Sequence, residues 1–172
     1  MRIRPETPED CRRIHDFVKQ AFATAKVCDG DEQEYVENLR AGDAFLPELA
    51  LVAEEGGRII GYVMLTRLAV LGEGGAAHPG LLLGPLAVAL EHRSRGVGSA
   101  LVREGFRRAV ALGYTAVFLV GDAAYYGRFG FRPAVQFGIT NASSIPDEDA
   151  LACELVPGAL KDVTGTITFA GF

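Results

Sequence analysis

Two short stretches of the chain hold residues whose types and spacing suit chemistry. In HRSRGVGSALV, residues 92–102, the arginines Arg93 and Arg95 and the glycines Gly96 and Gly98 stand between an apolar run and a helix-like pattern. Glycine weakens a helix interior, so at a helix start it serves one of two ends: a turn that needs backbone freedom, or close approach of an anion to free N–H groups. In YYGRFGF, residues 125–131, two adjacent tyrosines precede a Gly-Phe pair. Taken alone, such tyrosines read as core packing with a hydrogen-bonded hydroxyl. His15, His78 and His92, with Glu34 and Glu37, are of the type that can take a proton from an amine. His92 also reads as a loop residue, and the glutamates as an ordinary solvated helix face.

The glycine pair does not complete a nucleotide fingerprint. A dinucleotide fold wants G-x-G-x-x-G directly after a strand, and a P-loop wants a lysine after its last glycine. Only Gly96-x-Gly98 is present, with neither a third glycine nor the lysine. An anion cradle and a glycine-softened turn both remain open from these residues alone.

The elements that would position these stretches alternate along the chain. A strand at residues 2–4 leads to a helix start at Thr7-Pro8-Glu9-Asp10, with Thr7 as N-cap and Asp10 at the capping-box position, running to about Phe22. EYVENLR forms a short second helix with Tyr35, Val36 and Leu39 on one face. Residues 49–54 and 58–71 read as a hairpin closed by Gly56-Gly57. EGGAAHPG is expected to be a loop and LLLGPLAVAL a buried strand, interrupted at Pro85, which cannot donate to a central ladder. From Gly96 onward Val97, Leu101, Gly105, Ala109 and Leu112 keep a helical stripe, ending at Gly113. TAVFLVG is a second buried strand, AAYYGRF a short helix or turn, and strands follow from Phe131, around Cys153 and over residues 163–169. The succession β-α-α-β-β-β-α-β-α-β-β is mixed α/β with a central strand–helix–strand unit.

Composition bounds the function. With 172 residues and 49% apolar composition, one domain over residues 1–172 is expected. A net charge of −5 disfavours sequence-independent nucleic-acid binding. Cys11, Cys28 and Cys153 are odd in number and far apart, which suggests neither a disulfide framework nor a metal site. Three thiols, a polar beginning without a secretory signal and no apolar run of membrane-spanning length point to the cytoplasm, without membrane partners.

The run LGPLAVALEHRSRGVGSALV resembles the acyl-CoA signature of the GCN5-related N-acetyltransferases (GNAT). Arg93-x-x-Gly96-x-Gly98 matches that family's R/Q-x-x-G-x-G/A, and YYGRFGFRPA resembles its second signature through Tyr125, Tyr126, Gly130 and Phe131. GPLAV, GDAAYYGRFGF and CELVPGAL look like the YhbS-like branch of predicted acetyltransferases. One departure stands out: Gly121-Asp122 occupies the place where many members carry an asparagine.

The resemblance implies a mostly antiparallel twisted sheet flanked by helices, with C-terminal strands from about residue 138 completing it. It implies acetyl-CoA as cosubstrate, no metal, and direct attack by a primary amine, small-molecule or peptide. A non-catalytic acyl-CoA-binding module is the rival, and a homodimer is allowed. Main-chain groups of Leu86, Ala87 and Val88 would hold the pantetheine, with the Val88 N–H polarising the thioester. Arg93, Ser94, Arg95, Gly96, Val97, Gly98 and Ser99 would cradle the pyrophosphate, with the arginine side chains adding charge. Tyr126 would be the acid that protonates the departing thiolate, and Tyr125 would pack. The second helix would line the acceptor site.

Overall fold

The computed structural model describes residues 1–169; Ala170, Gly171 and Phe172, which the 1–172 domain expectation includes, lie outside the described residues. The helices are α1 (Cys11–Phe22), α2 (Glu32–Ala41), α3 (Val97–Ala111) and the single turn α4 (Ala123–Tyr126). The strands are β1 (Arg2–Pro5), β2 (Ala50–Glu55), β3 (Arg58–Leu71), β4 (Ala77–Val88), β5 (Ala116–Val120), β6 (Arg132–Pro133), β7 (Ile139–Asn141), β8 (Ala150–Glu154) and β9 (Gly165–Ile167). Strand order is β1-β2-β3-β4-β5-β8-β6, with β9 pairing β3 and β7. Only the β4–β5 and β7–β9 pairs, among those with a described register, are parallel. The expected mixed α/β class with a mostly antiparallel sheet and flanking helices is what the chain forms.

Two compact units divide the chain. The first comprises Met1–Thr66 and Leu83–Arg108. Its core forms where α1 lays Ile14 and Val18 on Ala50, Val52, Tyr62 and Met64, joined by Val36 of α2. Residues 14, 18 and 21 are the buried stripe of α1, the spacing that a 3.6-residue period requires. Burying each of the larger side chains contributes about 1.5–3 kcal/mol before entropy is counted. On the other side of β3, a Cβ at Gly61 would lie 2.8 Å from both Val97 and Leu101, so glycine there lets the first turns of α3 pack directly on the strand.

Polar groups fasten this unit's N-terminal edge. Asp10 accepts the Thr7 N–H at 2.9 Å, as the box position predicts. It also takes Arg4 Nη1 at 2.6 Å and Arg13 Nη1 at 3.1 Å. The Arg4 guanidinium, helped by Thr7, holds the Asp10 carboxyl well below the usual carboxylate range despite burial. A second cluster places the buried Tyr62 hydroxyl 2.7 Å from Glu6, which also accepts Arg40 Nε at 2.6 Å, joining the end of β1 to α2.

The second unit comprises Arg67–Leu82 and the chain from Ala109 onward. Its core gathers Phe118 of β5, Ala150 and Ala152 of β8, Ile139, Ile167 and Phe169. The buried Cys153 thiol is pushed up to about 11 by desolvation, whereas Cys28 is exposed. No helix among the described residues is long and apolar enough to cross a membrane.

Several expectations need correction. Residues 77–80 are already part of β4 rather than loop. Pro85 does not end the strand: β4 runs through a cis Gly84-Pro85 bond to Val88. The strand expected from Phe131 is two residues long. Leu112, placed on the helical stripe of α3, follows the helix end at Ala111 and is 45% exposed.

Candidate functional site

The first unit brings ten of the eleven expected site residues onto one continuous segment from β4 into α3; Tyr126 belongs to the second. The parallel ladder of β4 with β5 consists of Leu81–Val117 and Leu82–Phe118, and no pair follows it among the described residues. Main-chain groups of Leu86, Ala87 and Val88 therefore lie beyond that ladder. Leu86 and Val88 are half-buried and Ala87 is buried.

After β4 the chain folds through a tight helical turn, Leu90–His92, and reaches α3 with two residues in the left-handed region, Ser94 at φ 59° and Gly96 at φ 83°. Glycine tolerates that region at no cost, whereas a non-glycine residue there is uncommon and clusters at functional sites. Left-handed residues among right-handed ones turn successive N–H groups toward one point, the geometry of an anion-binding nest. The first amide to close an α-helical bond here is Ala100, which donates to Gly96 at 2.9 Å. The amides of Val97, Gly98 and Ser99 precede it and belong to the unpaired first turn, where the helix dipole also favours negative charge. Ser94, Arg95 and Gly96 are exposed, Ser99 is half-buried, and Val97 and Gly98 are buried.

The Arg93 side chain does not point its charge into this cradle. Its Nη2 donates to Ala21 O at 2.7 Å and Thr24 Oγ1 at 3.0 Å, Nη1 to Thr24 O at 3.0 Å, and Nε to Val88 O at 3.2 Å. Arg95 is exposed.

In the second unit, Tyr126 ends the single turn α4. Asp122 caps that turn, accepting the Ala124 N–H at 2.8 Å on its side chain and the Tyr126 N–H at 3.0 Å on its carbonyl. The Tyr126 ring meets Tyr125 edge-on at 4.8 Å and Phe131 at 5.8 Å between centroids. Arg128 stacks over Tyr125 at 4.4 Å, consistent with a packing role for that ring. Burial, with Tyr125 adding to it, pushes the Tyr126 phenol up to about 12, so it keeps its proton across the neutral range.

Gly121, marked in the sequence only as a departure from the family pattern, lies against the Tyr126 ring. A Cβ there would lie 2.7 Å from the Tyr126 ring, so glycine makes the floor on which the ring rests. The Gly121-Asp122 pair that departs from the family pattern thus has a local function of its own: one residue makes room and the next caps the turn.

The candidate bases are scattered. His15 of α1 is hydrogen-bonded to Glu37 of α2 at 2.7 Å, and Glu34 is exposed. His92 faces Glu55 at 3.5 Å through Nε2, and its buried Nδ1 forms no hydrogen bond, with Glu91 Oε1 at 3.9 Å. It lines a cavity of about 490 Å³ with Phe17, Gln20, Thr24 and Leu90. His78 lines a separate cavity of about 420 Å³ in the second unit with Glu73 and Asp162. Among the described residues no group of three His, Cys, Asp or Glu side chains is arranged to hold a metal ion.

A family model of the acetyltransferase (GNAT) domain matches residues 2–134. The chain belongs to the GCN5-related N-acetyltransferase family. This GNAT chain is 31% identical to the uncharacterized N-acetyltransferase YhbS of Escherichia coli (strain K12) over 169 residues, 98% of this chain and 96% of the relative. It is 33% identical over 142 residues to the uncharacterized N-acetyltransferase YjhQ of the same organism, covering 81% of this chain and 74% of the relative. The crystal structure of E. coli YhbS in complex with CoA superposes with a TM-score of 0.86 at 30% identity, over 98% of this chain and 88% of that one. A GNAT acetyltransferase from Brucella melitensis in complex with acetyl-CoA gives a TM-score of 0.78 at 28% identity, covering 99% and 96% of the two chains.

Proposed function

We propose that this GNAT protein moves the acetyl group of acetyl-CoA to a primary amine by direct attack. The observation that carries the cofactor half is the donor-rich turn from Ser94 to Ser99, with its left-handed Ser94 and Gly96, in a chain whose relatives are complexed with CoA and acetyl-CoA. The cofactor pyrophosphate is held on main-chain N–H groups of Ser94 to Ser99, the Arg93 N–H being taken by Leu90 O, and the pantetheine amides on Leu86 to Val88. In the reaction the amine nitrogen attacks the thioester carbon, and the Val88 N–H stabilises the negative charge gathering on its oxygen. The C–N bond forms and the C–S bond breaks. Tyr126, as the acid, offers its phenolic O–H to the departing sulfur as the C–S bond opens; any proton it passes on is replaced, through water, by the surplus proton that leaves the nitrogen, so no dedicated base is required. One domain over residues 1–172, acting in the cytoplasm, completes this reading.

The deciding measurement is release of free CoA thiol from acetyl-CoA in the presence of a panel of primary amines, small-molecule and peptidic. Turnover with at least one amine, and mass spectra showing its acetylated product, is expected. Tight acetyl-CoA binding without turnover on any amine would replace the enzyme reading with that of an acyl-CoA-binding module.

Gly121 supplies a second check. Its backbone is not left-handed, so Gly121→Ala adds only the methyl that collides with the Tyr126 ring. Displacing a reacting group by about 1 Å can cost up to about 10²-fold. We expect kcat to fall about 10-fold or more while acetyl-CoA affinity stays at the wild-type value. Equal loss of affinity would remove the link between Gly121 and the Tyr126 ring.

A further inference from the structure

We propose that Arg93 is a positioning residue: its guanidinium fixes the cofactor turn to the C-terminal end of α1 instead of offering its charge to a phosphate. The inference deepens the reading above and rests on it, because it takes the turn from Arg93 to Ser99 as the cofactor cradle.

A guanidinium has five N–H donors in a rigid plane. Four are engaged by protein oxygens: Val88 O, Ala21 O, Thr24 O and Thr24 Oγ1, at 2.7–3.2 Å. Ala21 lies in the last turn of α1, and Thr24 follows its C-cap Ala23. Carbonyls at a helix C-terminus lack intrahelical donors and form the negative end of the dipole, so a cation there is held both by hydrogen bonds and by the field. Thr24 is itself braced, its hydroxyl donating to Ala21 O at 3.0 Å. The fourth acceptor, Val88 O, is the last carbonyl of β4.

Three pieces of chain therefore meet at one side chain: the end of β4, the start of the cofactor turn, and the end of α1. The four residues between Val88 and Arg93 are further closed by His92 N–H to Ala89 O at 2.9 Å and Arg93 N–H to Leu90 O at 3.3 Å. With the turn pinned at both ends, the amides from Ser94 onward are presented from a fixed base. A lysine has a single ammonium on a flexible stem and cannot reproduce a planar fork across oxygens of Val88, Ala21 and Thr24. Arg95, exposed on the same turn, is the natural contrast.

The test measures acetyl-CoA affinity by calorimetry at low and high salt for wild type, Arg93→Ala, Arg93→Lys and Arg95→Ala, with melting curves to establish folding. A phosphate-facing charge loses its effect as salt rises, whereas a geometric clamp does not. For Arg93→Ala we expect affinity to fall about 10-fold or more, equally at both salt concentrations, and Arg93→Lys to recover little of it. Arg95→Ala should lose affinity chiefly at low salt. Thr24→Ala should lose less than Arg93→Ala, and the double variant should lose less than the sum, as partners in one network do. A loss confined to low salt and restored by lysine overturns the proposal. So does a folded Arg93→Ala protein that melts earlier but binds acetyl-CoA at the wild-type affinity, which leaves Arg93 a stabilising role only. Failure of the wild-type protein to bind acetyl-CoA strikes instead at the proposed cofactor.

Discussion

Tyr126→Phe is expected to lower kcat about 10²-fold, or about 2.7 kcal/mol of barrier, with acetyl-CoA affinity unchanged. The substitution removes one hydroxyl and keeps the ring that packs on Tyr125, Phe131 and the bare backbone of Gly121. No hydrogen bond of that hydroxyl is formed among the described residues, so its loss should cost at most about 1 kcal/mol of stability. A purely packing tyrosine would therefore survive the change in every respect, and a general acid would not. Tyr125→Phe is the control, because that ring lies under Arg128 and is given no part in the reaction.

The pH dependence sharpens the same result. The Tyr126 phenol is raised to about 12 by burial and by Tyr125, so the neutral form persists as pH rises and ionisation is deferred. As an acid it is fully protonated at neutral pH; as a base it would be almost entirely in the wrong form. A CoA thiol has a pKa of roughly 8.5, near that of cysteine, so full transfer from this phenol is uphill in the absence of substrate and the hydroxyl acts chiefly by hydrogen bonding as the C–S bond opens. The deficit of Tyr126→Phe should accordingly persist from neutral pH to about pH 10. Wild-type rates for both tyrosine variants across that range would remove Tyr126 from the mechanism. The raised pKa also sets the direction of the stability effect. Above pH 10 the unfolded tyrosine ionises while the folded one does not, so its contribution to stability declines as pH climbs toward about 12.

Legibility in the sequence followed the range of the interactions involved. Elements governed by near neighbours could be read directly: the Gly56-Gly57 turn, where both residues have positive φ, the Thr7–Asp10 box and the buried stripe of α1. The turn into α3, with its left-handed Gly96, belongs to this class, because a glycine-softened turn at a helix start is a local pattern. What could not be read was the use of a residue by a distant part of the chain. Asp10 fits its box position, yet it also joins Arg4 and Arg13. Arg93 looks like a phosphate ligand from its place in the motif, and only the fold brings Ala21 and Thr24, about seventy residues earlier, to its guanidinium.

The same reasoning accounts for the smaller misreadings. A proline argued for a broken strand because its missing N–H matters to a ladder, yet β4 continues through Pro85 to Val88. The two-residue β6 and the parallel β7–β9 pair have no sequence signature, since pairing between residues 18 or more positions apart is decided by which edges remain open once the core has formed. Gly121 was legible only as a departure from a family pattern. Its purpose appears when the Tyr126 ring is seen to lie where a Cβ would be.

The cradle itself can be tested without touching any side chain that carries charge. Gly98 is the second residue of α3, within the first turn, whose amides have no intrahelical acceptor. Gly98→Val places a branched side chain at the donor end of the helix. Valine is a slightly better helix former than glycine, so the helix is not weakened by propensity; the variant's melting curve checks that its buried position accommodates the larger residue. With phosphate approach to the Val97–Ser99 amides obstructed, acetyl-CoA affinity should fall about 10²-fold or more, which corresponds to losing one or two charge-assisted hydrogen bonds. Gly96→Ala is the companion for the case in which valine unfolds the chain. A Cβ on Gly96 meets nothing within 4 Å, but its φ of 83° makes any side chain strained by roughly 1–2 kcal/mol. Relief of that strain rotates the amides around it, so affinity should fall here too, without steric obstruction and in a folded protein. Unchanged acetyl-CoA affinity in a folded Gly98→Val variant would show that the phosphates lie elsewhere, and the glycines would then be what they first suggested, a soft turn between a strand and a helix.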